Sequence, residues 1–85
     1  LVIGCGSVGI KHIENAIEFA KIGVLDINKE STLKTEKYEI TKNFGDDFDA
    51  AFSWSPDGII IATPNNTHVE IAKKCILKNF HVFFF

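Results

Sequence analysis

Leu1-Val2-Ile3-Gly4-Cys5-Gly6-Ser7-Val8-Gly9 opens the sequence, and Ile10, Ile13 and Ile17 follow at spacings of three and four. The apolar run reads as a strand. The isoleucine spacing reads as one face of a helix, with Lys11, Glu14 and Glu18 on the other. Between them the glycines fit G-x-G-x-x-G. Alone that pattern carries little, because glycine is common. Here a strand precedes it and an amphipathic helix follows, which is the context that gives it meaning. Gly4 permits a tight turn out of the strand. Gly6, lacking a Cβ, lets a pyrophosphate approach the backbone. Gly9 lets the helix pack closely. The helix N-terminus then turns unpaired N–H groups towards an anion.

Lys21 to Asn28 reads Lys-Ile-Gly-Val-Leu-Asp-Ile-Asn, a second strand buried on both faces and stopped by a turn-forming Asn. Asp26, 17 residues beyond Gly9, ends it. An acid at about this distance accepts hydrogen bonds from the ribose hydroxyls of a dinucleotide. Its charge repels a 2′-phosphate, so NAD is favoured over NADP, a preference that nearby Lys29 softens. Two other readings fit the same residues. One is a glycine turn that merely joins strand to helix, with Asp26 a solvated strand end. The other is an S-adenosylmethionine site, whose glycines usually run G-x-G-x-G after an acid; here the third glycine falls one position later, and Leu-Val-Ile precedes the loop.

The rest of the chain continues to alternate. Residues 29–37 read as a short surface helix, Tyr38–Thr41 as a short edge strand, and Lys42–Gly45 as a turn. Phe48, Ala51 and Phe52 mark a helix over 46–54, capped by Asp46 or Asp47. Ser55-Pro56-Asp57-Gly58 stops it. Ile59–Ala62 is the clearest strand. Thr67 with Glu70 reads as a capping box opening a helix whose face carries Val69, Ala72 and Ile76, with Ile71 and Cys75 beside them. Lys73, Lys74 and Lys78 lie outside, Asn79 closes the helix, and Phe80–Phe85 forms a last strand. Strands and helices alternating without a hairpin signal predict an α/β fold. It is a doubly wound parallel sheet (Rossmann-like) of about five strands with helices on both faces. In such a sheet the first and fourth strands lie side by side, and ligands bind beyond their C-terminal ends. Thr63-Pro64-Asn65 would therefore meet a cofactor opposite the glycine loop. Thr63 and Asn65 offer hydrogen bonds there and Pro64 fixes the backbone. His68 is set to face the same crevice. Plain turn and cap chemistry accounts equally for Asn65 and Thr67, and a partly exposed helix position for His68.

Composition narrows the classes. The 85 residues are 46% hydrophobic and 24% charged, a globular balance that excludes disorder and collagen-like repeats. A net charge of −2 leaves no basic surplus for nucleic acid. Apolar runs fall far short of a membrane span, and no signal-peptide pattern is present. Cys5 and Cys75 have neither zinc nor redox-motif spacing, so they read as reduced thiols of a cytoplasmic protein. The sequence contains no methionine and both ends read as the interior of strands, so residues 1–85 are expected to be a partial domain, truncated at both ends. Phe80, Phe83, Phe84 and Phe85 would then make an exposed, aggregation-prone end.

These residues together resemble the Gfo/Idh/MocA oxidoreductases. Gly4 to Gly9 with His12 is similar to that family's opening G-x-G-x-(aliphatic)-G-x-x-H. Pro56-Asp57-Gly58-Ile59-Ile60-Ile61-Ala62-Thr63-Pro64-Asn65 with His68 resembles its P-D-x-(aliphatic)₃-A-T-P-N-x-x-H, and His81-Val82 its H-V-x-x-E-K-P. The resemblance implies an N-terminal domain that binds NAD(P), and Asp26 favours NAD within that choice. Gly4, Gly6, Ser7, Val8 and Gly9 would hold the pyrophosphate and Asp26 the ribose. Thr63, Pro64, Asn65 and His68 would border the nicotinamide. It also implies a sugar or polyol substrate, a separate substrate domain absent from these residues, and a homo-oligomeric parent. Phe85 stands where the family places Glu, and the sequence stops before the lysine that usually contacts the reacting hydroxyl. No catalytic acid–base pair and no metal ligands are therefore assigned within the chain. His12 matches the motif without a defined role, and His81 reads as structural. Two alternatives keep the same loop: a non-catalytic dinucleotide-binding or redox-sensing module, and a non-functional truncated product.

Overall fold

The computed structural model describes residues 1–84, with Asn65 described by its backbone alone. In chain order the elements are β1 (Val2–Ile3), α1 (Ser7–Ala16), β2 (Gly23–Leu25), a 3₁₀ segment (Lys29–Thr35), β3 (Lys42–Asn43), α2 (Phe48–Ser53), β4 (Ile59–Ile61), α3 (Asn65–Leu77) and β5 (Val82–Phe84). The sheet runs β3-β2-β1-β4-β5, and every pairing is parallel. Val2 pairs with Val24 on one side and Ile60 on the other, so β1 is the central strand. The strand order reverses between β1 and β4, which is where a doubly wound sheet opens its ligand crevice.

Both faces of the sheet are covered, which explains why the central strands are continuously apolar. Ile3, Leu25, Ile59 and Ile61 point to one side and pack with Ala51 and Phe52 of α2 and with Ile71, Ala72 and Cys75 of α3. Val2 and Val24 point to the other side and pack with Cys5, Ile22 and Ile13 of α1. Alternation along these strands of two or three residues thus divides the core between two layers. Each cysteine is fully buried in a different layer, and both are free thiols.

Local signals set the helix ends. The Asp47 side chain accepts the Ala50 N–H at 3.1 Å and starts α2. Asn79 adopts the left-handed conformation (φ 65°), donating to the Ile76 carbonyl while Phe80 N–H reaches back to that of Cys75. That paired closure ends α3 and turns Phe80 onto the core. Its ring stacks on Phe52 with centroids 5.5 Å apart. Phe83 and Phe84 are more than half exposed, as expected of that end of the chain, whereas Phe80 is half-buried. Phe85 lies outside the described residues.

Three sequence expectations are corrected. The edge strand is Lys42–Asn43, not Tyr38–Thr41, because the Ile22 carbonyl draws the Thr41 and Lys42 N–H groups and sets the pairing with β2 there. Tyr38 and Ile40 instead pack beside α1, and the Tyr38 hydroxyl donates to Glu14 at 2.6 Å. Helix α3 begins at Asn65 with Pro64 as its N-cap, so Thr67 lies inside the first turn. Its hydroxyl donates to the Pro64 carbonyl at 2.8 Å instead of capping an N–H group. Finally, the buried face of α3 is Ile71, Ala72 and Cys75, while Val69 and Ile76 are exposed. Ile71, Ala72 and Cys75, at spacings of one, three and four, are the residues that pack in one cluster with Ile59 and Ile61 of β4.

Two predictions follow from this packing. A Cβ at Gly9 would sit 1.7 Å from the Gly4 carbonyl oxygen, which is backbone and cannot yield. Gly9→Ala is therefore expected to cost about 3 kcal/mol or more in chemical denaturation. Burial, and then the charge of Asp26, push the Cys5 thiol up to about 11 from 9.0, and burial raises Cys75 as well. The folded chain holds these protons above the pH at which the unfolded chain releases them. Stability is then full below about pH 9 and falls as pH rises towards 11. The urea midpoint should drop across that window, and less steeply in a Cys5→Ala, Cys75→Ala variant.

Candidate functional site

The glycine loop leaves β1 through Gly4, whose φ of +103° lies in the left-handed region. A Cβ there would meet the Ala62 carbonyl carbon and oxygen at 2.7 Å, so a side chain is barred by β4 as well as by conformation. Gly4 N–H donates to the Leu25 carbonyl at 2.8 Å, while Ala62 N–H donates to Ile3 at 2.8 Å. The end of β1 is thereby held between β2 and β4. Gly6 is the N-cap of α1, and a Cβ on it would meet nothing within 4 Å. The same loop thus has one glycine required by the protein's own packing at each end and one facing open space between them.

The first helical hydrogen bond of α1 runs from Ile10 N–H to the Gly6 carbonyl at 2.9 Å. The N–H groups of Ser7, Val8 and Gly9 consequently have no partner within the helix. No side chain caps this end and no acid stands in its first turn. Helix α3, which follows the neighbouring central strand, has the same bare N-terminus. The other two helical segments are finished differently. Asn28 caps the 3₁₀ segment and Asp47 caps α2, each with an acid in the first turn. The two uncapped helix ends are thus those that follow β1 and β4, where the positive ends of their dipoles suit an anion or a polar ligand.

Asp26 closes the crevice from the β2 side. Its Oδ2 accepts Cys5 N–H at 2.7 Å and its Oδ1 accepts Asn28 N–H at 2.9 Å. The acid therefore stands directly against the glycine loop, as the sequence spacing implied. The contacts to Cys5 and Asn28 were not foreseen. The Asp-x-Asn spacing was a usable signal for the second, because Asp side chains commonly accept the N–H two residues on. The first depends on how β2 lies beside β1, which no local pattern encodes. Cys5 also turns its thiol on the Leu25 carbonyl, 3.9 Å away.

On the β4 side, Thr63 is buried, and its hydroxyl oxygen is enclosed without a hydrogen-bond partner. His68, half-buried in the first turns of α3, has an enclosed Nε2 that is likewise unpartnered, and its ring lies 5.9 Å from that of Phe84. Among the described residues these are the two buried side-chain polar atoms without a partner. Pro64 is exposed, and Asn65 begins α3 beside it. A Cβ built on Gly4 would come within 3.0 Å of Thr63 N, which sets Thr63 beside the glycine loop, whereas the ring contact of His68 is with Phe84 of β5. His12 is half-buried on α1 and His81 is exposed at the start of β5.

A cleft of about 650 Å³ lies at the other end of the sheet, lined by Leu1, Phe19, Ile22, Trp54, Gly58 and Phe83. It opens at the N-terminal ends of the strands, and the glycine loop, Asp26, Thr63 and His68 do not line it. Ligands of open parallel sheets bind at the opposite ends. A hollow of about 420 Å³ between the 3₁₀ segment and the Asn43–Asp46 turn does lie on the Asp26 side, where Gly45 accepts the Asp26 N–H. Among the described residues no helix is long and apolar enough to cross a membrane.

Comparison with curated proteins finds no match. A family model described as "Oxidoreductase family, NAD-binding Rossmann fold" matches residues 1–84. The five-stranded parallel sheet with helices on both faces and its order reversing between β1 and β4 is the Rossmann architecture that description names. The chain belongs to the Gfo/Idh/MocA oxidoreductase family and forms its NAD-binding Rossmann fold.

Proposed function

We propose that this chain is the nucleotide-binding part of an oxidoreductase acting on a sugar, polyol or related hydroxyl or carbonyl compound. The observation that carries the dinucleotide half of this reading is the 2.7 Å contact between Asp26 and Cys5. It sets the Asp26 carboxylate against the glycine loop, which supports reading the two as the ribose and phosphate sides of one site. The substrate half is supported by the family's motifs, among them the stretch from Pro56 to Asn65. The groups that hold substrate and move its proton belong to a further domain in this reading, within a homo-oligomeric cytoplasmic parent.

The residues present fit NAD. The N–H groups of Ser7, Val8 and Gly9 bind the pyrophosphate, helped by the dipole of α1. Gly6 leaves room for the phosphate oxygens to reach the backbone. Asp26 accepts the adenosine 2′ and 3′ hydroxyls. Thr63, Pro64, Asn65 and His68 border the nicotinamide, where the enclosed Thr63 hydroxyl and His68 Nε2 lack partners of their own. The nicotinamide itself supplies hydride chemistry, and the protein orients it.

Asp26 also supports NAD over NADP, since a 2′-phosphate would face a carboxylate at close range. Calorimetric titration should show NAD binding and NADP binding about tenfold or more weakly. Equal affinities would remove Asp26 from the discrimination, and no binding of either would overturn the dinucleotide reading. Gly6→Ala separates binding from folding. With nothing within 4 Å of its Cβ and a φ of −75°, the variant should keep its melting temperature. It should lose NAD affinity by about tenfold or more, because the methyl enters the phosphate's space.

A further inference from the structure

Asp26 has two partners before any ligand arrives, and both are backbone. Oδ2 holds Cys5 N–H at 2.7 Å, the middle of the glycine loop, and Oδ1 holds Asn28 N–H at 2.9 Å, the turn into the 3₁₀ segment. Cys5 is wholly buried, and its N–H loses this acceptor when the Asp26 carboxylate is removed. The neighbouring bonds come from the same strand end. Gly4 N–H and the Cys5 thiol both address the Leu25 carbonyl. Beyond Cys5 the Gly6 carbonyl accepts Ile10 N–H at 2.9 Å and Gly9 meets the Gly4 carbonyl, while a Cβ on Gly6 would stand in open space.

We propose that Asp26 is a positioning residue for the phosphate-binding loop as well as the group that recognises ribose. Its carboxylate fixes the plane of the Gly4–Cys5 peptide, and so the direction from which Ser7, Val8 and Gly9 present their N–H groups. This rests on the reading of the loop as a pyrophosphate site and adds a coupling within it. The same doubly held carboxylate has one face left for a ribose diol and cannot swing away from a 2′-phosphate without breaking both backbone bonds. A substitution that admits a 2′-phosphate at residue 26 therefore also loosens the loop.

Inorganic pyrophosphate isolates this role because it carries no ribose. Asp26→Asn and Asp26→Ala both remove the charge that repels pyrophosphate. Only the Asn variant keeps an oxygen to accept Cys5 N–H. The full chain carrying each substitution is titrated with pyrophosphate, and amide hydrogen exchange is followed at Cys5 without ligand. The Asn variant is expected to bind pyrophosphate about fivefold or more tightly than the Ala variant, and its Cys5 amide to exchange more slowly by a similar factor. Measurable but equal pyrophosphate affinities overturn the proposal. If neither variant nor the unsubstituted chain binds pyrophosphate, the exchange rates decide. Faster Cys5 exchange in the Ala variant upholds the anchor while the pyrophosphate reading fails, and equal exchange overturns the anchor too.

Discussion

The backbone of Gly9 lies against the carbonyl of Gly4, so close that a methyl carbon would come within 1.7 Å of the oxygen. This contact closes the glycine loop on itself and fixes where α1 starts relative to β1. With Gly4 also pressed against Ala62 and bonded to Leu25, the loop is positioned by three strands at once. The rest of the architecture depends on that node. Helix α1 can reach back over Val2 and Val24 only from this starting point, and β4 can lie beside β1 only if residue 4 has no side chain. The crevice is what remains where β1 and β4 part company.

The crevice is also where the fold leaves groups unsatisfied. Both helices that begin there lack side-chain caps, although a cap is commonly worth about 1 kcal/mol. The Thr63 hydroxyl is enclosed without a partner, a burden of about 1–3 kcal/mol. Elsewhere the chain uses the available devices: Asn28 and Asp47 cap, Asn79 closes a helix, and Lys74 sits over the Phe48 ring at 4.9 Å. Among the described residues, the buried side-chain polar atoms without a partner, on Thr63 and His68, both follow the C-terminal end of β4. That distribution is expected of a binding site, whose polar groups are matched by a ligand and not by the protein.

Much of this was legible from residue order. Gly4, Gly6 and Gly9 in sequence after an apolar run, followed by isoleucines at helical spacing, specify strand, turn and helix with little room for alternatives. Asp26 is legible because strand length fixes how far the second strand end lies from the first. The parallel sheet follows from alternation without hairpin turns. What was hidden is instructive. Lys42-Asn43 has no strand signature because an edge pair exposed on both sides needs no apolar side chains; its place is set by the Ile22 carbonyl. Thr67 with Glu70 matches a capping box and so points to a start after residue 67, whereas α3 begins at Asn65, directly after an extended Pro64. The hydrogen bond from Cys5 to Asp26 spans 21 residues and arises only when β1 and β2 lie in register.

The central claim is that the C-terminal ends of β1, β2 and β4 form one dinucleotide site. It is tested most directly by intermolecular nuclear Overhauser effects between NAD and the isotope-labelled chain. Adenosine ribose protons should reach the Cys5 and Asp26 backbone, and nicotinamide protons should reach residues 63–68. Effects confined to Phe19, Trp54 and Phe83, in the cleft at the opposite end of the sheet, would contradict it.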